Sequence, residues 1–166
     1  MSIRHIKHPF PAVVDSKSRI LILGSVPSVK SVENNFYYMH PKNRFWKVLS
    51  CLYDVDLYSM SVEERIGFLH KHHIALYDSV EECDIEASKD SAISNVTLAD
   101  IPSLLAKSKI SRIYCNGKAS YRYLLSAYPE YEKMTVLLPS TSPANAVYSL
   151  EKLVCEWKIV ANDKND

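Results

Sequence analysis

Arg19-Ile-Leu-Ile-Leu-Gly24 is the stretch that decides the fold. Four consecutive aliphatics leave no wet face, so this is a strand covered on both sides rather than a half-exposed one. Glycine at its end allows a tight exit, and Pro27 fixes the direction in which the chain leaves. Three more short apolar runs read the same way: His73-Ile-Ala-Leu-Tyr77, Ser111-Arg-Ile-Tyr-Cys115 and Met134-Thr-Val-Leu-Leu138. Helical patterns separate them. Phe45, Val48, Leu49 and Leu52 fall on one helix face, and Ser61 with Glu64 three residues on makes a capping box for a helix reaching about Lys71. Asp100 caps a short helix through Lys107. Tyr121, Leu124, Leu125 and Tyr128 stripe another, and Ser149 caps a last one with Leu150, Leu153, Val154 and Trp157 inward. Alternating strands and helices predict an α/β fold, a three-layer α/β/α sandwich around a central, mainly parallel four-stranded sheet. Ligands of such sheets bind beyond the carboxyl ends of the strands. That directs attention to residues 24–43, 78–94 and 139–145, read as loops.

The chain has 166 residues, of which 47% are hydrophobic and 23% charged. This predicts a single domain over 1–166, with 161–166 a frayed tail, and excludes disorder and collagen-like repetition. No apolar run is long enough for a membrane span. The opening Met-Ser-Ile-Arg-His lacks the apolar block of a signal peptide, so a cytoplasmic location is expected. Cys51, Cys83, Cys115 and Cys155 lack the close spacing of metal or iron–sulfur ligands, and we expect four buried thiols, no metal and no cofactor. Charge is uneven. The first fifty residues carry eight Lys/Arg against two Asp/Glu, the next fifty carry three against eleven, and the third fifty carry six against two. A polyanion would be drawn to the first and third blocks.

The chemistry-bearing segments fall in those basic blocks. Gly24-Ser-Val-Pro-Ser28 is not a Walker loop, because no Gly-Lys-Ser/Thr follows, and alone it is as readily a plain turn. Asn35-Phe-Tyr-Tyr-Met-His-Pro-Lys-Asn-Arg-Phe-Trp46 crowds aromatics, an amide and cations together. Phe45 belongs to a helix stripe and Trp46 can cover a helix flank. Tyr37, Tyr38, His40 and Asn43 have no such packing reason, and with Lys42 and Arg44 nearby they suit a pocket for a base and a phosphate. A packed His-Pro turn is the alternative. Pro139-Ser-Thr-Ser-Pro-Ala-Asn145 is a stiff hydroxyl-rich loop able to grip phosphates, or a connector to the last helix. Asn116-Gly-Lys-Ala119 reads as a turn in which Asn-Gly serves the backbone.

Taken together, these segments resemble the uracil-DNA glycosylase superfamily, and within it the hypoxanthine-DNA (deoxyinosine) glycosylase branch. The resemblance is carried by His8-Pro-Phe-Pro11, Ile20-Leu-Ile-Leu-Gly-Ser-Val-Pro-Ser28, Tyr37-Tyr-Met-His-Pro-Lys-Asn-Arg-Phe-Trp46, Ala75-Leu-Tyr-Asp-Ser-Val80, Asn116-Gly-Lys-Ala119 and Leu138-Pro-Ser-Thr-Ser-Pro-Ala-Asn145. The string from His40 to Trp46 is also similar to mismatch-specific uracil glycosylases. Four positions depart from common patterns: Val26 where most relatives have Asp or Asn, Leu138 where many have His or Asn, and Ile85 and Ala87 where Arg-x-Gly-Ser is expected.

The resemblance implies a monofunctional DNA glycosylase that hydrolyses the N-glycosidic bond of a flipped-out deaminated base (hypoxanthine, with xanthine or uracil as further substrates) in base excision repair. It implies Asn43 as the catalytic residue and Gly24, Ser25, Val26, Pro27, Tyr38 and His40 as base-binding, with Tyr38 stacking on the base. Pro139, Ser140, Thr141, Ser142, Pro143, Asn145 and Lys42 would hold DNA. Asp78 and Asn116 stand as secondary candidates, Asp78 either for proton work or as a turn cap. The implied partner is DNA carrying deaminated bases, met by a monomer, nucleoid-associated in a prokaryote. Two alternatives stay open, a mismatch-type uracil glycosylase and a weakened member that binds lesions without cutting. A generic nucleotide-binding domain lacks its Gly-rich loop.

Overall fold

The computed structural model describes residues 3–86 and 93–162. Strand β1 (Ile3–Lys7) precedes the aliphatic run, which becomes β2 (Ile20–Gly24). Side chains alternate along a strand. Ile20 and Ile22 therefore enter one apolar cluster, and Leu21 and Leu23 the opposite one. All four are buried, which accounts for the unbroken apolar run.

The remaining strands are β3 (Ile74–Asp78), β4 (Val80–Glu86), β5 (Ile93–Leu98), β6 (Arg112–Asn116) and β7 (Thr135–Leu138). The expected sheet is present: β3-β2-β6-β7, parallel throughout. Helices α1 (Val29–Asn34), α2 (Phe45–Tyr53), α3 (Val62–Lys71), α4 (Ile101–Ala106), α5 (Lys118–Ala127) and α6 (Leu150–Asn162) connect and cover it. Phe45, Trp46, Phe68, Leu69, Leu153 and Trp157 from α2, α3 and α6 pack on one face. Ile101, Leu104 and Leu124 from α4 and α5 pack on the other. The capping box at Ser61 is formed, with Ser61 Oγ accepting from Glu64 N at 3.1 Å and Glu64 Oε1 from Ser61 N at 2.9 Å. Asp100 and Ser149 cap α4 and α6 as expected.

Three features differ from the sequence reading. Residues 78–94 are not one loop: β4 and β5 run through them and pair antiparallel, with β1 on the far side of β4, as a second sheet. Two register irregularities in β4 break its alternation, which hid the strand. The thiols are not uniformly buried. Cys83 and Cys115 are, whereas Cys51 and Cys155 are exposed, lying off the buried stripes of α2 and α6. The helix α6 continues to Asn162, through the start of the expected tail, and residues 163–166 and Ala87 lie outside the described residues. No described helix is long and apolar enough to cross a membrane, and among the described residues no three His, Cys, Asp or Glu gather as metal ligands.

Candidate active site

Gly24, Asp78 and Asn116 close the carboxyl ends of β2, β3 and β6, and Ser140 lies two residues past β7. All four line one cleft of about 900 Å³. Parallel strands bring their ends to the same edge, so segments distant in sequence meet there.

The loop after β7 is tied to the turn before α2 through Asn43. Its Oδ1 accepts from Phe45 N at 2.9 Å and from Thr141 Oγ1 at 2.8 Å. A backbone N–H can only donate, so the atom facing it is the amide oxygen. Both lone pairs of that oxygen are used, and the amide nitrogen is left for the cleft. Thr141 is wholly buried and fully engaged. Its Oγ1 accepts from Asn116 Nδ2 at 3.0 Å, and its backbone N–H donates to Asn116 Oδ1 at 3.0 Å. Asn116 thus works through its side chain, beyond the backbone role expected of Asn-Gly. Gly117 has φ +98°, and a Cβ there would lie 3.1 Å from Ser140 Cβ, so glycine lets the two turns touch.

Arg44 holds the rest of that loop. Its Nη2 donates to Ser142 O at 2.9 Å and Asn145 O at 3.1 Å, and Nη1 donates to Tyr148 O. Asn145 Nδ2 donates to Ser140 O at 3.0 Å, closing the loop on itself. A planar guanidinium suits this fork of carbonyls better than a lysine would.

The other end of the cleft is built around Asp78. Its Oδ2 lies 2.7 Å from His8 Nε2, and His8 Nδ1 donates to Phe10 O at 2.8 Å. The two side chains are 1% and 5% exposed, so Asp78 is a buried partner of His8 and not a turn cap. A Cβ on Gly24 would lie 2.4 Å from Asp78 Oδ1 and 2.9 Å from Tyr38 Oη. Only glycine fits. The Tyr38 hydroxyl is buried without a hydrogen-bond partner. Burial first, then the Asp78 charge, push its pKa well above the ordinary phenol range, while the Asn116 amide acts the other way. Tyr38 itself sits at φ +57°, a conformation costly for an aromatic residue and one that aims its ring into the site. One face of that ring stacks on Phe45 at 4.0 Å between centroids.

Of the residues singled out from sequence, Gly24, Ser25, Val26, Pro27, Tyr38, His40, Asn43, Asp78, Asn116 and Ser140 to Ser142 line the cleft. Pro139, Pro143, Asn145 and Lys42 stand outside its lining. Pro139 O accepts from Trp157 Nε1 at 3.0 Å, Asn145 braces the loop, and the Lys42 side chain is exposed. Lys42 N donates to His40 Nδ1 at 3.1 Å, which places the proton of a neutral His40 ring on Nε2. Val26 packs with Ile6, Val80 and Cys83 of the second sheet. Tyr37 does have a packing role: it is 2% exposed and donates to Pro11 O at 2.9 Å. Trp46 is likewise enclosed, with Nε1 donating to Tyr37 O at 3.0 Å.

Sequence reasoning missed Arg4, Lys30 and His8. Arg4 pairs in register with Ile85, and both line the cleft from the unforeseen sheet. The inward set Arg4 and Ile6 was legible only as alternation within Ile3–Lys7. Lys30, on the short helix α1 capped by Ser28, lines the cleft and pairs with Glu33 at 3.4 Å on the surface.

Comparison with known proteins identifies the family and the fold. The family model described as the uracil DNA glycosylase superfamily matches residues 11–164. A protein of Methanosarcina acetivorans named hypoxanthine DNA glycosylase is 35% identical over 158 residues, covering 93% of this chain and 98% of its own. One of the same name from Methanosarcina barkeri is 34% identical over 142 residues, covering 84% and 88%. The solution NMR structure of a candidate uracil DNA glycosylase from Methanosarcina acetivorans superposes with a TM-score of 0.80 at 33% identity, over 96% of this chain and 97% of that one. The chain belongs to the uracil DNA glycosylase superfamily.

Proposed function

We propose that this DNA glycosylase removes hypoxanthine from DNA by hydrolysis of the N-glycosidic bond, without cleaving the strand. The observation that carries the reading is the Asn43–Thr141 hydrogen bond, which fixes an amide nitrogen toward the cleft beside the loop best placed to meet DNA. The relatives named for hypoxanthine support the choice of base.

The scissile bond lies within stacked DNA, so the nucleotide must first be extruded, at roughly a few kcal/mol and least for a mispaired base. The braced loop of residues 139–145 meets the flanking phosphates through hydroxyls and backbone N–H groups. A deaminated base leaves as a delocalised anion, so the bond can break ahead of attack, leaving an oxocarbenium-like sugar. Asn43 can only donate into the cleft. It therefore stabilises charge on the departing base or holds a water by its lone pair, and it does not act as a base. Val26 carries no proton, which this route tolerates. Lys30 lines the cleft as a surface residue paired with Glu33, and no Schiff base is assigned to it.

The test is single-turnover incubation with duplexes carrying hypoxanthine, xanthine, uracil or thymine, then treatment with alkali. Hypoxanthine duplexes should yield abasic sites that break only with alkali. Asn43→Ala should slow excision by at least about 100-fold while changing DNA affinity by about twofold or less. Faster release of uracil than hypoxanthine would assign the protein to uracil instead, and tight lesion binding with no abasic product would make it a reader.

A further inference from the structure

Two polar groups meet where Gly24 lacks a side chain, and the hydrolysis described above uses neither. Asp78 Oδ1 and the Tyr38 hydroxyl both approach the position a Cβ of Gly24 would take, at 2.4 and 2.9 Å from it. Gly24, Tyr38 and Asp78 all line the cleft. The Tyr38 hydroxyl is buried and has no hydrogen-bond partner, although burying a hydroxyl without one is unfavourable. That leaves it free to pair with a group entering the cleft.

The hydrogen bonds of His8 set which oxygen of Asp78 faces the cleft. His8 Nδ1 faces the Phe10 carbonyl, which cannot donate, so Nδ1 carries a hydrogen. One further proton lies between His8 Nε2 and Asp78 Oδ2, 2.7 Å apart. With that proton held on the Oδ2 side, Oδ1 is the oxygen left to accept from the cleft. His8 has no free nitrogen left for the cleft; it is a positioning residue that keeps Asp78 turned with Oδ1 forward.

We infer that Asp78 and Tyr38 form an acceptor–donor pair that reads the lactam edge of the extruded base, Asp78 Oδ1 taking its ring N–H and the Tyr38 hydroxyl donating to its neighbouring carbonyl. Hypoxanthine and uracil carry this edge, and their parents adenine and cytosine do not, since deamination turns a ring-nitrogen acceptor into a donor. Guanine and thymine also carry it, and in matched pairs they are held back by the greater cost of extrusion. In this reading Tyr38 meets the base by its hydroxyl edge, with its ring held in place by the stack on Phe45. The inference rests on the glycosylase reading and names the chemical group that reading selects.

The experiment compares wild type, Asp78→Asn and Tyr38→Phe on duplexes containing hypoxanthine or unsubstituted purine, which lacks both lactam groups. In Asp78→Asn the amide oxygen stays on His8 and the NH2 turns to the cleft, replacing an acceptor by a donor. The preference for hypoxanthine over purine should fall about 100-fold in Asp78→Asn and about tenfold in Tyr38→Phe. Affinity for abasic product DNA should stay within about twofold of wild type, and the Tyr38→Phe protein, losing only an unpartnered hydroxyl, should melt no lower. Where a variant cuts too slowly to compare, binding to duplexes with uncleavable 2′-fluorinated forms of the two bases supplies the same ratio. An unchanged ratio in both variants overturns the inference. A wild-type protein that releases no base from any duplex overturns the glycosylase reading instead.

Discussion

Thr141 Oγ1 donates to Asn43 Oδ1 at 2.8 Å, across 98 residues of chain, and receives a hydrogen bond from Asn116 at the same time. A hydroxyl is needed because the position must both donate and accept. Thr141→Val keeps the shape and removes both bonds. Excision should fall about tenfold or more with DNA affinity nearly unchanged, and stability should drop by about 1–3 kcal/mol from the stranded Asn116 amide. Thr141→Ser should restore the rate. Single-turnover kinetics beside thermal melts would expose a purely structural role as a loss of stability with no change in rate.

Arg44 spends its guanidinium on three carbonyls of the protein, those of Ser142, Asn145 and Tyr148. Arg44→Ala should destabilise the protein by about 2–4 kcal/mol and weaken DNA binding by about tenfold, because the loop loses its shape. The salt dependence of binding should stay the same. A residue that neutralised a phosphate would instead flatten the slope by about 0.9 on removal, which titrations at several salt concentrations would detect.

At Gly24 the restriction is steric. A methyl group would sit 2.4 Å from Asp78 Oδ1, closer than any packed carbon sits to an oxygen, and Asp78 is anchored by His8. Gly24→Ala should cost about 1–3 kcal/mol of stability and depress excision by at least about tenfold. An alanine variant with wild-type melting and rate would show that Asp78 yields easily.

His5 bridges the cross-strand acids of β4, with Nδ1 2.5 Å from Asp84 and Nε2 3.0 Å from Glu82. The Asp84 hydrogen bond, with smaller contributions from both carboxylates, raises its pKa above the ordinary 6.5 against the opposing effect of desolvation. A raised folded-state pKa stabilises the protein below the unfolded value, and the gain fades as pH rises through the folded one. His5→Gln should therefore melt below wild type near pH 5.5, with the gap closing near pH 8.5. A gap independent of pH would assign His5 a packing role only.

The four-stranded sheet was legible because each of its strands contains a short apolar run closed by Gly, Asp, Asn or Pro, a pattern that burial on both faces imposes on β2, while the edge strand β7 keeps the run although Leu137 is exposed. The helix starts at Ser61, Asp100 and Ser149 were legible because capping is local chemistry. The second sheet was not. β1 meets β4 about eighty residues away, and the bulged β4 alternates too poorly to announce itself. The site divided along the same line. Asn43 and residues 140–142 stand out as a polar cluster with no packing use, whereas the burial of Tyr37 and the His8–Asp78 contact depend on tertiary proximity that no window reveals. Lys42 and Arg44 looked alike as nearby cations, yet Arg44 grips the protein and Lys42 points to solvent.

The long-range ties also order events during synthesis. His8 must wait for residue 78 to leave the ribosome, and Asn43 must wait for residue 141. A nascent chain halted at residue 130 would carry the segments of β2, β3 and β6, yet its Asn43 amide would keep only the Phe45 N–H contact and lack the tie to Thr141. The amide facing the cleft is thus anchored at both ends only after residues 43 and 141 have both emerged.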